Sequence, residues 1–149
     1  QALQRVELGT VGDSNKGFEG LAWDPRNQRL LLANEKNPVR LFSLACDGRR
    51  VSGPLQALGD LDGYVTDVAG LSVDSRSGQL LALSQESHLL LGLDPQLRAQ
   101  SFLALLPGLN GLTRRVPQAE GLALDNAGTL YVVSERNLFF AFQREVSAP

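Results

Sequence analysis

Apolar runs of five to eight residues alternate with short polar breaks along this 149-residue chain, and the alternation is periodic. "FEGLAWD" at 18–24 returns as "VAGLSVD" at 68–74 and as "AEGLALD" at 119–125. Gly20, Gly70 and Gly121 are thus 50 and 51 residues apart. After each comes a turn ("PRNQ", "SRSG", "NAG") and an apolar run ("RLLLANE", "QLLALSQ", "TLYVVSE"). A second break follows ("KNP", "ESH", "RN"), then a third run ("VRLFSLA", "LLLGLD", "LFFAFQR"). Short apolar runs bounded by Gly, Pro, Asn, Asp and Ser predict strands and hairpins. No segment carries a 3.6-residue period with helix caps. "DPQLRAQSFLALL" opens on Asp-Pro and reads as a turn followed by a strand, the counterpart of "GPLQAL" in the first repeat.

Each repeat therefore predicts three strands and a fourth, the pattern of a four-stranded antiparallel propeller blade. The expected fold is all-β: about three blades over residues 1–149, with repeats starting near 18, 67 and 118. Residues 1–9, with "LQRVELGT" at 3–10, are expected as the outer strand of a preceding or closing blade. Large and small residues alternate along the first strand of each repeat: Leu21 and Trp23 against Gly20 and Ala22, Leu71 and Val73 against Gly70 and Ser72, Leu122 and Leu124 against Gly121 and Ala123. Successive strand residues face opposite sides. Each innermost strand thus offers one bulky face and one thin face, which lets blades stack. Three blades fall short of the smallest closed ring. Three arrangements follow: a fragment, an open arc, or half a ring completed by a second copy. The absence of methionine favours the first.

Composition narrows the function classes. Net charge is −2, and the only basic clusters are Arg49–Arg50 and Arg114–Arg115, so no broad nucleic-acid surface is expected. A lone cysteine, Cys46, excludes an intrachain disulfide, and a lone His88 excludes a histidine-based metal cluster. No run reaches the roughly 20 apolar residues of a membrane-spanning helix.

The chemistry that remains is carboxylate. Glu19 and Glu120 open their strands near the expected axis, where converging like charges raise one another's pKa unless a cation or arginine neutralises them. Oxygen ligands in a ring suit Ca²⁺. The plain alternative is that each glutamate accepts backbone hydrogen bonds or is simply solvated. Asp67, in "DGYVTDVAG", is a third candidate ligand; Asx-turn chemistry explains it equally well. Glu35, Glu86 and Glu135 end the second strands and are expected on the same rim. Asp24, Asp74 and Asp125 precede turns and read as turn chemistry, as do Asn37 and Asn137. Trp23 and 138–140 read as inter-blade core. The loop 108–115 is a longer inter-blade connection without distinctive chemistry.

These residues resemble the SdiA-regulated (YjiK-like) family. The resemblance rests on "GFEGLAWD", "EKNPVRLF", "DVAGLSVD", "LALSQESHLL", "QAEGLALDNAGTLYVVSERN" and "FFAF", which span nearly the whole chain. It implies a five-bladed propeller distantly related to NHL-repeat proteins, of which this chain is similar to the last three blades. It further implies a calcium site, with Glu19, Asp67, Glu120, Glu35 and Glu135 at the matching positions, and no established enzymatic activity. Arg136 departs from the family pattern, which has proline there. A periplasmic or cell-envelope location follows from the resemblance alone, with any export signal or membrane anchor expected upstream of residue 1. The functional expectation is a non-enzymatic calcium-binding platform for a protein or small-molecule ligand, with self-association through open blade faces. The alternatives are a lactonase-like, metal-dependent hydrolase built on a central Ca²⁺, and a metal-free interaction scaffold.

Overall fold

A computed structural model describes residues 4–11 and 17–143. Its first sheet comprises β1 (Phe18–Asp24), β2 (Arg29–Asn34), β3 (Arg40–Cys46) and β4 (Val51–Asp60). The second comprises β5 (Gly70–Val73), β6 (Leu80–Ser84), β7 (Leu89–Leu93) and β8 (Ala99–Ala104). The third comprises β9 (Ala119–Leu124), β10 (Leu130–Ser134) and β11 (Leu138–Phe142). Every pairing is antiparallel, and each sheet follows chain order from its innermost strand outward. The described residues contain no helix, and the "DPQL" segment is a turn leading into β8. This is the propeller blade pattern, repeated three times.

The turns form because their side chains satisfy them. Asp24 accepts from the Asn27 N–H at 3.3 Å and from Arg29 Nε at 2.9 Å. Asp125 accepts from the Thr129 N–H at 2.8 Å and from the Tyr131 hydroxyl at 3.0 Å. Asn37 and Asn137 stand at φ 58° and 61°, the left-handed region that asparagine tolerates. All four carry turn chemistry, as the sequence suggests.

The blades stack through their innermost strands, β1 on β5 and β5 on β9. A Cβ at Gly20 would lie 2.7 Å from Leu71 Cγ, and one at Gly70 would lie 2.7 Å from Leu122 Cδ2. The glycine of one blade is thus the seat for the following blade's leucine. One core fills the first interface, with Ala33, Leu41, Leu61, Ala82 and Leu93 fully buried. A second fills the next, around Leu83, Leu105, Val116 and Val132.

Three outcomes differ from the sequence expectation. The described part of 1–9, residues 4–9, forms no strand. Instead the Gln4 side-chain amide exchanges two hydrogen bonds with Val51, both 3.0 Å, while Leu8 and Val11 cover Leu32, Phe42 and Leu44. Gly53 and Pro54 in β4 explain this: proline has no N–H for a further ladder, so β4 is an edge. Trp23 is 39% exposed and Phe139 64%, not inter-blade core. They lie on the bulky face of the first blade and the thin face of the third, where no blade lies among the described residues. The turn residues Arg26 and Arg76 also do more than turn chemistry. Arg26 donates to Ser77 O at 3.0 Å, Ser75 O at 3.2 Å and Arg76 O of the next blade, and Arg76 donates to Ala127 O at 3.1 Å. They form an arginine staple from blade to blade.

Candidate functional site

The chain bulges where its glutamates stand. Phe18 pairs with Asn34 and Gly20 with Ala33, leaving Glu19 as the extra residue between them. Likewise Ala119 pairs with Ser134 and Gly121 with Val133, leaving Glu120 extra. A bulge frees its residue from the ladder and re-aims the side chain. Both glutamates are exposed. The repeated Glu-Gly is therefore a bulge followed by a seat for the next blade's leucine.

The second strands return to the same rim. Glu35 N–H donates to Gly17 O and Glu135 N–H to Gln118 O, each 3.0 Å, which sets both residues beside the start of their own innermost strand. Asp67 precedes β5 at the corresponding place. The result is an electrostatic cluster: burial and the charges of Glu135, Glu19, Asp67 and Glu35 together raise the pKa of Glu120 above its ordinary 4.5. The other four predicted acids thus all act on Glu120.

They do not all have the same role. Asp67 is 3% exposed and saturated. It accepts from the Ser84 hydroxyl, from Gln85 N–H at 3.1 Å and from Glu86 N–H at 3.0 Å, so it builds the β6–β7 turn. Lys36 enters the cluster as a built-in cation. Its ammonium lies 2.5 Å from Glu86 and 3.7 Å from Glu35. The Glu86 hydrogen bond, then the charges of Glu86, Glu35 and Asp67, raise its pKa. Lys36 and Glu86 occupy the same position in consecutive repeats, so this inter-blade pair was readable only by aligning repeats with charge in mind.

The acids fit a cation in charge and as hard oxygen donors, but they are not gathered into a ready-made ligand set. Among the described residues no three His, Cys, Asp or Glu side chains converge as a metal-binding group. Glu19, Glu120 and Glu135 remain exposed at the mouth, while Asp67 is bound to the framework and Glu35 lies beside Lys36. Asp60 and Asp62, the other acids near Asp67, are structural. Asp60 pairs with Arg40, and Asp62 accepts from Val39 N–H at 2.9 Å. Cys46 and His88 lie at opposite ends of their blades: Cys46 N–H meets Gln28 O at the β1–β2 turn, while His88 stands in the β6–β7 turn. They form no catalytic pair.

Two four-stranded sheets and a three-stranded one, stacked by their inner strands and carrying acids on one axial rim, define this chain as an arc of a β-propeller. The sequence model of the SdiA-regulated family matches residues 1–143, and the chain belongs to that family. Among solved structures it is similar to the calcium-binding protein regucalcin from Agrobacterium tumefaciens, with a TM-score of 0.62 at 16% identity over 80% of this chain and 38% of that one. It is also similar to Myxococcus xanthus glutaminyl cyclase, with a TM-score of 0.57 at 18% identity over 81% of this chain and 45% of that one. A nidogen/laminin complex gives a TM-score of 0.58 at 12% identity over 83% of this chain and 41% of that one. At these identities the likeness is one of fold. The chain spans less than half the length of each of these three proteins.

Proposed function

We propose that this chain is the acid-bearing arc of a non-enzymatic, calcium-binding propeller that serves as a binding platform in the periplasm or cell envelope. The observation that carries the reading is the meeting of four carboxylate fields, those of Glu135, Glu19, Asp67 and Glu35, at Glu120. Such a mouth concentrates cations, and freely turning carboxylates at its edge are hard oxygen ligands of the kind calcium takes. The likeness to a protein described as calcium-binding lends support. Glu19, Glu120 and Glu135 would supply the mobile ligands, with Glu35 beside them and Asp67 holding the rim in shape. Because Lys36 already offsets part of the charge, binding by this arc is weak, in the range of about 10⁻⁴ to 10⁻³ M typical of extracellular calcium modules.

The two open blade faces belong to the same reading. Leu21, 62% exposed, is a leucine without a seat, and Gly121 is a seat without a leucine, in an apolar depression of about 530 Å³. Further blades or a second copy would cover them. Calorimetric titration with Ca²⁺ tests the metal reading. Weak saturable heat that disappears in the Glu19→Gln/Glu120→Gln double variant is expected. No heat and no thermal shift at about ten times the upper dissociation constant would sink it.

A further inference from the structure

A second charged feature lies beside the acidic mouth, and its sign is opposite. The connection from β8 to β9 is an ordered loop. Val116 N–H donates to Leu105 O at 3.0 Å, closing it, and Leu105 N–H donates to His88 O at 2.8 Å, fixing it to the β6–β7 turn. Both closing residues are 1% exposed. Gly108 and Gly111 at φ 80° and 75° turn the chain inside it, and Asn110 Nδ2 ties it to Ala104 O at 2.9 Å. The loop thereby holds Arg114 and Arg115 on one wall of a cleft of about 970 Å³. The opposite wall comes from the third blade: Arg136 in the β10–β11 turn, with Leu138 and Phe140 following it. His88 closes one side, and no carboxylate lines the cleft among the described residues.

The arginines set this cleft apart from ordinary surface charge. Arg29, Arg40, Arg76 and Arg98 each hold an aspartate, and Arg26 holds carbonyls. Arg114, Arg115 and Arg136 hold no side-chain partner among the described residues; neither do Arg49 and Arg50, but unlike that pair the three line one concavity. Arg136 stands at φ 64°, a backbone conformation closed to proline, so this turn presents a side chain where a ring could not sit. Three like charges in one cleft of a net-acidic chain form a focused positive field. The apolar floor supplies the other half of a small-molecule site, in which a few polar groups orient a ligand against hydrophobic lining.

We propose that this cleft binds a small organic anion: a carboxylate or phosphate group held by the guanidinium forks of Arg114, Arg115 and Arg136, with an apolar or aromatic body over Leu138 and Phe140. Guanidinium recognises both anions through paired N–H donors. The cleft gives the proposed platform a ligand class, and it is separate from the calcium mouth. The test uses the 149-residue chain, ¹⁵N-labelled, titrated with phenyl phosphate, inorganic phosphate and benzyl alcohol, with calcium chelated throughout so that failure of the metal reading does not bear on the result. Phenyl phosphate is expected to saturate, shifting amides of 112–116 and 136–138, and to bind about tenfold tighter than inorganic phosphate, which lacks the apolar body. Arg136→Gln and Arg114→Gln are each expected to weaken it about tenfold, the effect of one charge-assisted hydrogen bond, with an unchanged spectrum elsewhere. Arg115→Gln provides an independent exposed variant, and Arg49→Gln/Arg50→Gln, on the distant β3–β4 turn, is expected to change nothing. Shifts scattered over all arginine-bearing loops, or full affinity in the Arg114→Gln/Arg136→Gln double variant, would overturn the proposal.

Discussion

Gly20→Ala tests the stacking of one blade on the next. The added Cβ would meet Leu71 Cγ at 2.7 Å and Ala33 Cβ at 3.0 Å. Leu71 Cγ is a branch point in a core where Leu71 is 5% exposed, so the contact cannot be relieved by turning a methyl end. Overpacking of a filled core costs about 1–3 kcal/mol. Alanine restricts the unfolded chain and returns about 0.4–1 kcal/mol. The net loss is about 1–2 kcal/mol, or a fall in Tm of about 3–6 °C for a domain near 150 residues. For Gly70→Ala the one close contact is Leu122 Cδ2 at 2.7 Å, a movable methyl, and the backbone atoms nearby lie at 3.8 Å or more, so it should cost less. Gly121→Ala meets Val133 Cγ2 at 2.9 Å on the open face, where Val133 is 49% exposed and free to turn, and Gly17→Ala meets nothing within 4 Å. Thermal and urea unfolding of the four variants should rank Gly20 worst, then Gly70, with Gly121 and Gly17 near wild type. A Gly20→Ala protein within about 0.5 kcal/mol of Gly17→Ala would refute the leucine-seat argument.

Asp67→Ala removes a buried acceptor of three hydrogen bonds and strands the Gln85 and Glu86 N–H groups; urea unfolding should show a loss of about 2–3 kcal/mol, while Glu19→Gln should leave stability nearly unchanged. Burial works against ionisation of Asp74, but hydrogen bonds from Arg76 and Ser77 and the Arg76 charge win, holding its pKa down to about 2 from 3.8. Its folded-state pKa is depressed, so its stabilisation is present above pH 3.8 and is lost as pH falls toward 2; the acid limb of a Tm–pH profile should flatten in Asp74→Asn. Glu120 has the opposite sign. Its folded-state pKa is raised, so stability falls as pH rises through and above 4.5, and Glu120→Gln should raise Tm at neutral pH relative to wild type.

The fold was legible because its signals are local and repeated. Alternating large and small residues in "GLAW", "GLSV" and "GLAL" encode the faces, and turn residues such as Asp24, Asp125 and Asn37 mark where strands reverse. Glu19 with Glu120, and Glu35 with Glu135, stand at matching repeat positions, so their place at one end of the blades could be read from the repeat; Asp67 stands two residues before the matching position, which is Ala69. Contacts between repeats were not legible. Lys36–Glu86 and Arg26 to the Ser75–Ser77 turn join residues about 50 positions apart, and nothing local to either partner announces them. The sequence leaves Asp67 open between ligand and turn residue because its partner Ser84 stands 17 positions on, at the end of β6. Arg114–Arg115 looked like ordinary loop charge because Arg136 joins them only when the third blade folds beneath the loop. The edge character of β4 was present in Pro54 but competed with an apolar N-terminal segment that resembles a strand.

The central claim is that acids from all three blades share one axial mouth that attracts a cation. Carboxyl ¹³C NMR of Glu120 across pH measures this directly. The account predicts titration above 4.5, a lower pKa in Glu135→Gln and Glu19→Gln, and a further fall when Ca²⁺ is added. A Glu120 that titrates at its ordinary value, unmoved by either substitution and by Ca²⁺, would contradict it.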